Sequence, residues 1–263
     1  MPYKDGNNAY REQVDQLHKV LYNNSVAVDY VFANKANLKD YKMIVIPPLY
    51  VASDSLLNAI SNYVKDGGHV VMMFKSGFTD ENSTVRSVIA PGPLRKAAGF
   101  YYQEFGNIEN LKLKNNPFGV AENDNSVSDW AEMIIPETAK ALAYYDHTFY
   151  GKYPAITSNN FGKGTLIYEG CRPSDSLQEK ILLVAMERAG IKGADQNIRW
   201  PLITKQGTND FGKKVHFYYN YSGKTETLPY DYPVGKELIS NRMIKKGERL
   251  TIKPWDVQIV EEN

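Results

Sequence analysis

The sequence is poor in the residues that would commit it to redox, metal or nucleic-acid chemistry. It holds one cysteine, Cys171, in 263 residues, which excludes an internal disulfide and fits a reducing compartment. Its four histidines, His18, His69, His147 and His216, are scattered, and neither Cys-x-x-Cys nor His-Glu-x-x-His occurs. No metal or other cofactor is therefore expected. Charge of neither sign is in excess: 31 Lys and Arg against 30 Asp and Glu leave a net +1. The basic residues form no cluster, so no nucleic-acid partner is expected. Apolar runs are strand-sized, which argues against a membrane span. The start, Met1-Pro2-Tyr3-Lys4-Asp5, is polar rather than leader-like, and the expected location is the cytoplasm. Phosphate-binding glycine fingerprints are missing as well. Gly223-Lys224-Thr225 imitates the tail of one, but Tyr218 stands where the first glycine belongs, and the segment reads as a hairpin.

What is present is a globular composition, 43% hydrophobic and 23% charged, too apolar for disorder and long enough for two domains. Helical spacing of Tyr10, Val14, Leu17 and Leu21 predicts a first helix, capped by Asn7 or Asn8. Val26 to Phe32 reads as a strand. Met43 to Ile46 and His69 to Phe74 read as strands buried on both faces. Between the last two, a helix opens at Ser53 or Asp54, buries Leu56, Leu57, Ile60, Tyr63 and Val64, and ends at Gly67-Gly68. This alternation predicts a parallel sheet with right-handed crossovers. Pro91 to Ala98 suits a turn feeding a helix. Short strand candidates follow, then the turn Phe161-Gly162-Lys163-Gly164, the strand Thr165 to Gly170, and a helix from about Ser176 to Ala189 with Ser176 and Glu179 at capping-box spacing. Beyond Ala194 helical periodicity disappears, and about six strands predict a small antiparallel barrel or sandwich. The expected domains are 1–194, α/β, and 195–263, antiparallel β.

Two places invite a chemical role. Cys171 follows a strand at the sheet edge where ligands usually sit, but it lacks a partner base and a sharp elbow of small residues, so it is expected to be structural. The stretch Ser76-Gly77-Phe78-Thr79-Asp80-Glu81-Asn82 should project from the carboxyl edge of the sheet. Glycoside hydrolysis needs two carboxyl groups about 5–5.5 Å apart for retention or about 6.5–9.5 Å for inversion. Asp80 and Glu81 are sequential and should diverge, so no self-contained catalytic pair is expected.

Asp80-Glu81-Asn82 followed by Pro91-Gly92-Pro93-Leu94-Arg95 resembles the middle domain of glycoside hydrolase family 42 β-galactosidases. Tyr41 to Tyr50, Tyr63 to Gly68, Tyr153-Pro154-Ala155, Phe161 to Gly164 and Tyr168-Glu169-Gly170 resemble the same domain in order. Glu237-Leu238-Ile239 and Pro254-Trp255-Asp256-Val257 are similar to the family's C-terminal β domain. The resemblance implies a flavodoxin-like, class I glutamine amidotransferase-like three-layer domain that makes trimer contacts, followed by a small antiparallel domain. It implies self-association as a homotrimer and a galactoside substrate bound only through a separate catalytic barrel. That barrel needs about 250 residues and would precede Met1, so the family's catalytic glutamates have no counterpart here and the chain is expected to be a fragment. The family's first middle-domain strand is also missing, and Arg86 and Val88-Ile89-Ala90 replace the family's usual His and Gly pair. On this basis Phe78, Asp80, Glu81, Asn82 and Arg86 are the expected substrate-rim or interface residues. A stand-alone carbohydrate-binding or amidotransferase-like protein is the alternative.

Overall fold

Between residues 43 and 169, two apolar runs and a long hairpin build one five-stranded sheet. The computed structural model describes residues 9–32 and 37–263, and the expected cap at Asn7 or Asn8 lies outside them. The strands are β1 (Met43–Ile46), β2 (His69–Met73), β3 (Lys140–Tyr144), β4 (Pro154–Phe161) and β5 (Gly164–Glu169), in the order β1-β2-β5-β4-β3. β1, β2 and β5 run parallel, with Met43 opposite His69 and Thr165 opposite His69. β4 runs against β5 and against β3, so the sheet is mixed and not the all-parallel sheet that the alternation predicts. The reason is the turn at Gly162 (φ +63). A two-residue connection can only join antiparallel strands. Gly164 beside it has no room for a side chain, since a Cβ would stand 2.0 Å from the Gly68 carbonyl oxygen.

Helices cover both faces. α2 (Asp54–Asp66) follows α1 (Ala9–Asn23) in the chain and starts where Ser53 accepts a hydrogen bond from the Leu56 amide. It ends at Gly67, whose φ of +122 suits only glycine. Its buried stripe, Leu57, Ile60, Tyr63 and Val64, packs with Val70, Met72, Leu166 and Tyr168 and with Ala97 and Ala98 of the short helix α3 (Arg95–Ala98). Each such side chain contributes roughly 1.5–3 kcal/mol by leaving water. Val71, out of phase with these, is buried on the other face, and α4 (Asp175–Arg188) packs on β2. Ser174, not Ser176, caps α4: it is the last extended residue and accepts from the Leu177 amide, while Ser176 donates to Asp124.

Two further expectations change. In α1 the buried stripe is Gln13, Gln16, Leu17, Val20 and Leu21, while Tyr10 is exposed. Gln16 donates to the Pro173 carbonyl and the Asp175 carboxylate, which satisfies its amide N–H groups. Val26 to Phe32 is not a strand. Ser25 turns the chain at φ +55, the Val26 amide bonds back to Leu21, and Tyr30 and Phe32 are exposed, so the run has apolar content but no strand to pair with.

The chain divides into two compact units, Met1–Leu17 with Tyr30–Ile191, and His18–Asp29 with Lys192–Asn263. In the second unit Ser25 accepts from the Thr204 amide through its hydroxyl and from Gln196 through its carbonyl, which places the 18–29 segment with the C-terminal residues. The unit is antiparallel: β6 (Leu202–Thr208), β7 (Lys214–Asn220), β8 (Glu226–Pro229), β9 (Gly235–Glu237), β10 (Met243–Ile244), β11 (Arg249–Ile252) and β12 (Val257–Glu262) form sheets in the orders β6-β7-β12-β9-β10 and β8-β11. Tyr218, Tyr230, Leu250, Ile252 and Val260 fill its core.

Candidate functional site

The segment after β2 is assembled against the segment after β1. Ser76 donates to the Met73 carbonyl and accepts from the Leu49 amide. The Gly77 amide donates to Leu49, the Thr79 amide to Tyr50, and the Ala52 amide to Thr79. These backbone bonds give the loop a fixed root. The residue that launches it, Lys75, holds a left-handed backbone at φ +60, a conformation that costs a non-glycine residue roughly 1–2 kcal/mol.

Each expected site residue has a definite place. The Asp80 carboxylate accepts from the Asn82 and Thr84 amides, both at 2.9 Å, and so closes the loop tip. Glu81 and Asn82 are exposed on that tip. Arg86 ties the loop to its neighbours, and its side chain is 9% exposed. It donates to the Gly77 carbonyl at 3.1 Å, to the Ala52 carbonyl and to the Asp54 carboxylate at the start of α2. Phe78 is half-buried, stacked on Tyr50 at 5.4 Å and edge-on to Phe105 at 5.5 Å. Asp80 is thus engaged by two backbone amides at the tip.

The loop shapes a groove of about 260 Å³ lined by Phe78, Val85, Arg86, Val88, Ile89 and Phe105, among others. Val85 and Val88 are 59% and 57% exposed, and Ile89 and Phe105 are also exposed. Exposed apolar groups are thus clustered on a loop whose root is held by backbone bonds.

Sequence reasoning misses what lies beneath this groove. Glu132 is fully buried, paired through its short strand with Phe105–Gly106. Its Oε1 accepts from the Lys75 amide at 2.6 Å. Burial pushes its carboxyl up to about 7, against the pull of that amide, of the Tyr168 and Tyr102 hydroxyls and of the Trp130 indole N–H. Lys75 is itself 6% exposed, with its Nζ 3.6 Å from the Trp130 ring centroid and its pKa lowered by burial. Trp130 stacks on Phe105 at 4.6 Å. The available signal is a lone acid in the apolar run Ala131-Glu132-Met133-Ile134. A second buried acid, Glu169 at the end of β5, accepts from Gln178 at 2.7 Å and is pushed up to about 8 by burial.

Cys171 is fully buried, with burial pushing its thiol well up and the Ala155 carbonyl as its neighbour. A thiol of that kind is not a nucleophile, which disfavours the amidotransferase-like alternative. Among the described residues no three His, Cys, Asp or Glu converge as metal ligands, and no helix is long and apolar enough to cross a membrane.

Residues 3–192 match the β-galactosidase trimerisation domain family and residues 209–262 the β-galactosidase C-terminal domain family. The chain is 27% identical over 250 residues to β-galactosidase BgaB of Geobacillus kaustophilus, covering 95% of this chain. It is 26% identical over 254 residues to β-galactosidase LacA of Lactobacillus acidophilus, again covering 95% of this chain. It spans about 36% of the length of each of these relatives. The crystal structure of the β-galactosidase from Bacillus circulans sp. alkalophilus superposes with a TM-score of 0.85 at 23% identity, over 97% of this chain and 38% of that one, and so shares its fold. The chain therefore belongs to the glycoside hydrolase family 42 β-galactosidases, as their trimerisation and C-terminal domains.

Proposed function

We propose that the chain is the non-catalytic assembly region of a glycoside hydrolase that cleaves terminal β-D-galactosides in the cytoplasm, with the catalytic carboxylates carried outside these residues. It joins three copies of itself, and a galactoside substrate is met only through the catalytic part outside these residues. The observation that supports this most is the apolar groove of residues 77–90 and 102–105 on a loop whose root is fixed by Arg86. A trimer forms by one heterologous patch repeated until the ring closes, and a pre-shaped loop spends little ordering entropy on contact. Within this reading, Arg86 and Asp80 set the loop's shape, Phe78 is its floor, and Glu81 and Asn82 reach the neighbouring copy or the rim of its sugar site. Residues 1–194 act as the trimerisation domain and 195–263 as the C-terminal domain. Three parallel strands with helices on both faces favour the flavodoxin-like, amidotransferase-like description of the first. Light scattering coupled to size exclusion tests the proposal. A trimer of the purified chain that turns over no chromogenic β-galactoside is expected, and a monomer at every concentration overturns it.

A further inference from the structure

The groove and the buried acid are one connected device. Glu132 holds the Lys75 amide at 2.6 Å, at the left-handed turn from which the loop departs. Lys75 sits over Trp130, Trp130 stacks on Phe105, and Phe105 meets Phe78, so a continuous run of contacts leads from the acid to the groove wall. Tyr102 touches both ends: it lines the groove and its hydroxyl acts on Glu132. We infer that Glu132 is a proton-responsive positioning residue, whose ionised form holds the Lys75 turn and keeps the groove shaped for its partner, and whose neutral form releases it.

The physical basis is the difference between the two forms as a hydrogen-bond acceptor and as a counter-charge. An ionised carboxylate binds a backbone N–H about twice as strongly as a neutral acceptor. It also attracts the Lys75 ammonium, which burial disfavours. Both effects oppose relaxation of the non-glycine left-handed turn, and both fade when the proton arrives. Lys75 and Asp129 are the charged groups that act on this centre, and Asp129 is paired with Arg172 at 3.0 Å. Tyr102, Tyr168 and Tyr145 face it from three other elements, and Cys171 adjoins it. Burial raises all four far enough that they stay neutral around pH 7. Glu169 bears on the centre through Cys171. Glu132, poised at about 7, is the member whose charge both changes near neutrality and contacts the turn.

The association part of this inference rests on the proposed self-assembly, whereas the local part does not. The test uses the full chain carrying Trp200→Phe and Trp255→Phe, so that Trp130 alone reports, diluted until it is monomeric. Its emission should titrate with a midpoint near pH 7, and Glu132→Gln should abolish the transition. Should Glu132→Gln fail to fold, hydrogen exchange over residues 74–90 of the unaltered chain, corrected for intrinsic rates, replaces it: protection should rise from pH 6 to pH 8. At higher concentration, an interface that needs the ionised form should weaken about tenfold per copy from pH 8 to pH 6. Flat emission and flat exchange across pH 5.5–8.5 overturn the inference, as does an unchanged transition in Glu132→Gln. Association that is real but independent of pH overturns the coupling while sparing the assembly proposal. A chain that never associates defeats the assembly proposal, and the Trp130 titration then decides the inference alone.

Discussion

Glu132 in the first unit and Glu237 in the second are the same side chain, both shielded from water, with opposite electrostatics. Glu132 is 0% and Glu237 4% exposed. Burial pushes both upward. In Glu237 it is outweighed by the Ser240 hydroxyl and by the Ser240, Ile239 and Ile259 amides, and the net shift is downward. Glu132 has one backbone amide, and burial prevails. Two things set the sign: Glu132 is enclosed by protein on all sides and so is desolvated far more than Glu237, and three backbone amides converge on Glu237 against one on Glu132. A carboxylate that closes a turn with several amides is a permanent staple, whereas one held by a single amide remains close to its protonation point. The β unit uses its buried acid to fix a turn, and the α/β unit keeps one beside the groove residues Tyr102 and Phe105.

The hardest way to break this contrast is to remove the staple. Glu237→Ala leaves the Ile239 and Ser240 amides, bonded at 3.1 and 2.6 Å, without an acceptor. The expected loss is on the order of 3 kcal/mol, read as a lower urea midpoint in which the C-terminal unit unfolds first. Because its folded pKa is depressed, Glu237 contributes stability that is present above its ordinary value of 4.5 and is lost as pH falls through the folded value.

The poised acids have the opposite pH signature. Glu132 and Glu169 rise from 4.5 to about 7 and about 8. Between 4.5 and those values the folded chain binds protons that the unfolded chain has released. Stability therefore falls as pH rises through that window and levels off above it. Thermal or urea unfolding from pH 5 to 8.5 should lose roughly 1–3 kcal/mol from Glu132. Glu132→Gln should flatten its share of that slope, becoming more stable than the parent chain at pH 8.5 while its groove loosens.

Much of the fold is legible in residue patterns, and the exceptions have physical causes. The strands Met43–Ile46 and His69–Met73 and the helix closed by Gly67 follow from local apolar periodicity and glycine stereochemistry. The Phe161 to Gly164 turn is also evident, yet its consequence, a sheet that reverses direction, needs the pairing of β4 with β5 and of β5 with β2 to be known together. Val26 to Phe32 has strand composition without a strand partner, which no local window reveals. In the loop, sequence pattern finds the right segment but not the division of labour. Whether Arg86 points to solvent or back to Ala52 and Asp54 depends on the 49–54 segment lying alongside. Glu132 is hidden for the same reason. Its importance comes from Lys75, 57 positions away, and only its isolation among apolar neighbours hints at it.

Arg86 offers a smaller perturbation, aimed at the loop root rather than at the acid. Arg86→Ala removes two part-buried ties, an exposed ion pair and the packing of the aliphatic stem, at an expected cost of about 1–2 kcal/mol. If the groove is a pre-shaped contact surface, self-association should suffer more than stability does, because the loop must then be ordered on contact. Hydrogen exchange over residues 77–90 should rise while the β2–β5 core stays protected. Equal loosening of both would show that the loop is not a separable element.

The most delicate test leaves the architecture alone. Val88 lines the groove and is 57% exposed, so Val88→Asp removes little from the core and should alter stability by no more than about 0.5 kcal/mol. In an apolar contact the new carboxylate must be desolvated without a partner, a cost that falls on association only. Sedimentation should show the dissociation constant raised at least roughly tenfold, the size expected of a central contact residue, with an unchanged unfolding midpoint. The same substitution placed on the Glu237 turn, Ile239→Asp, acts on a residue that is 62% exposed in the β unit. It should leave both association and stability nearly unchanged. If Ile239→Asp disrupts assembly and Val88→Asp does not, the contact surface belongs to the stapled unit, and the poised acid under the groove serves no interface.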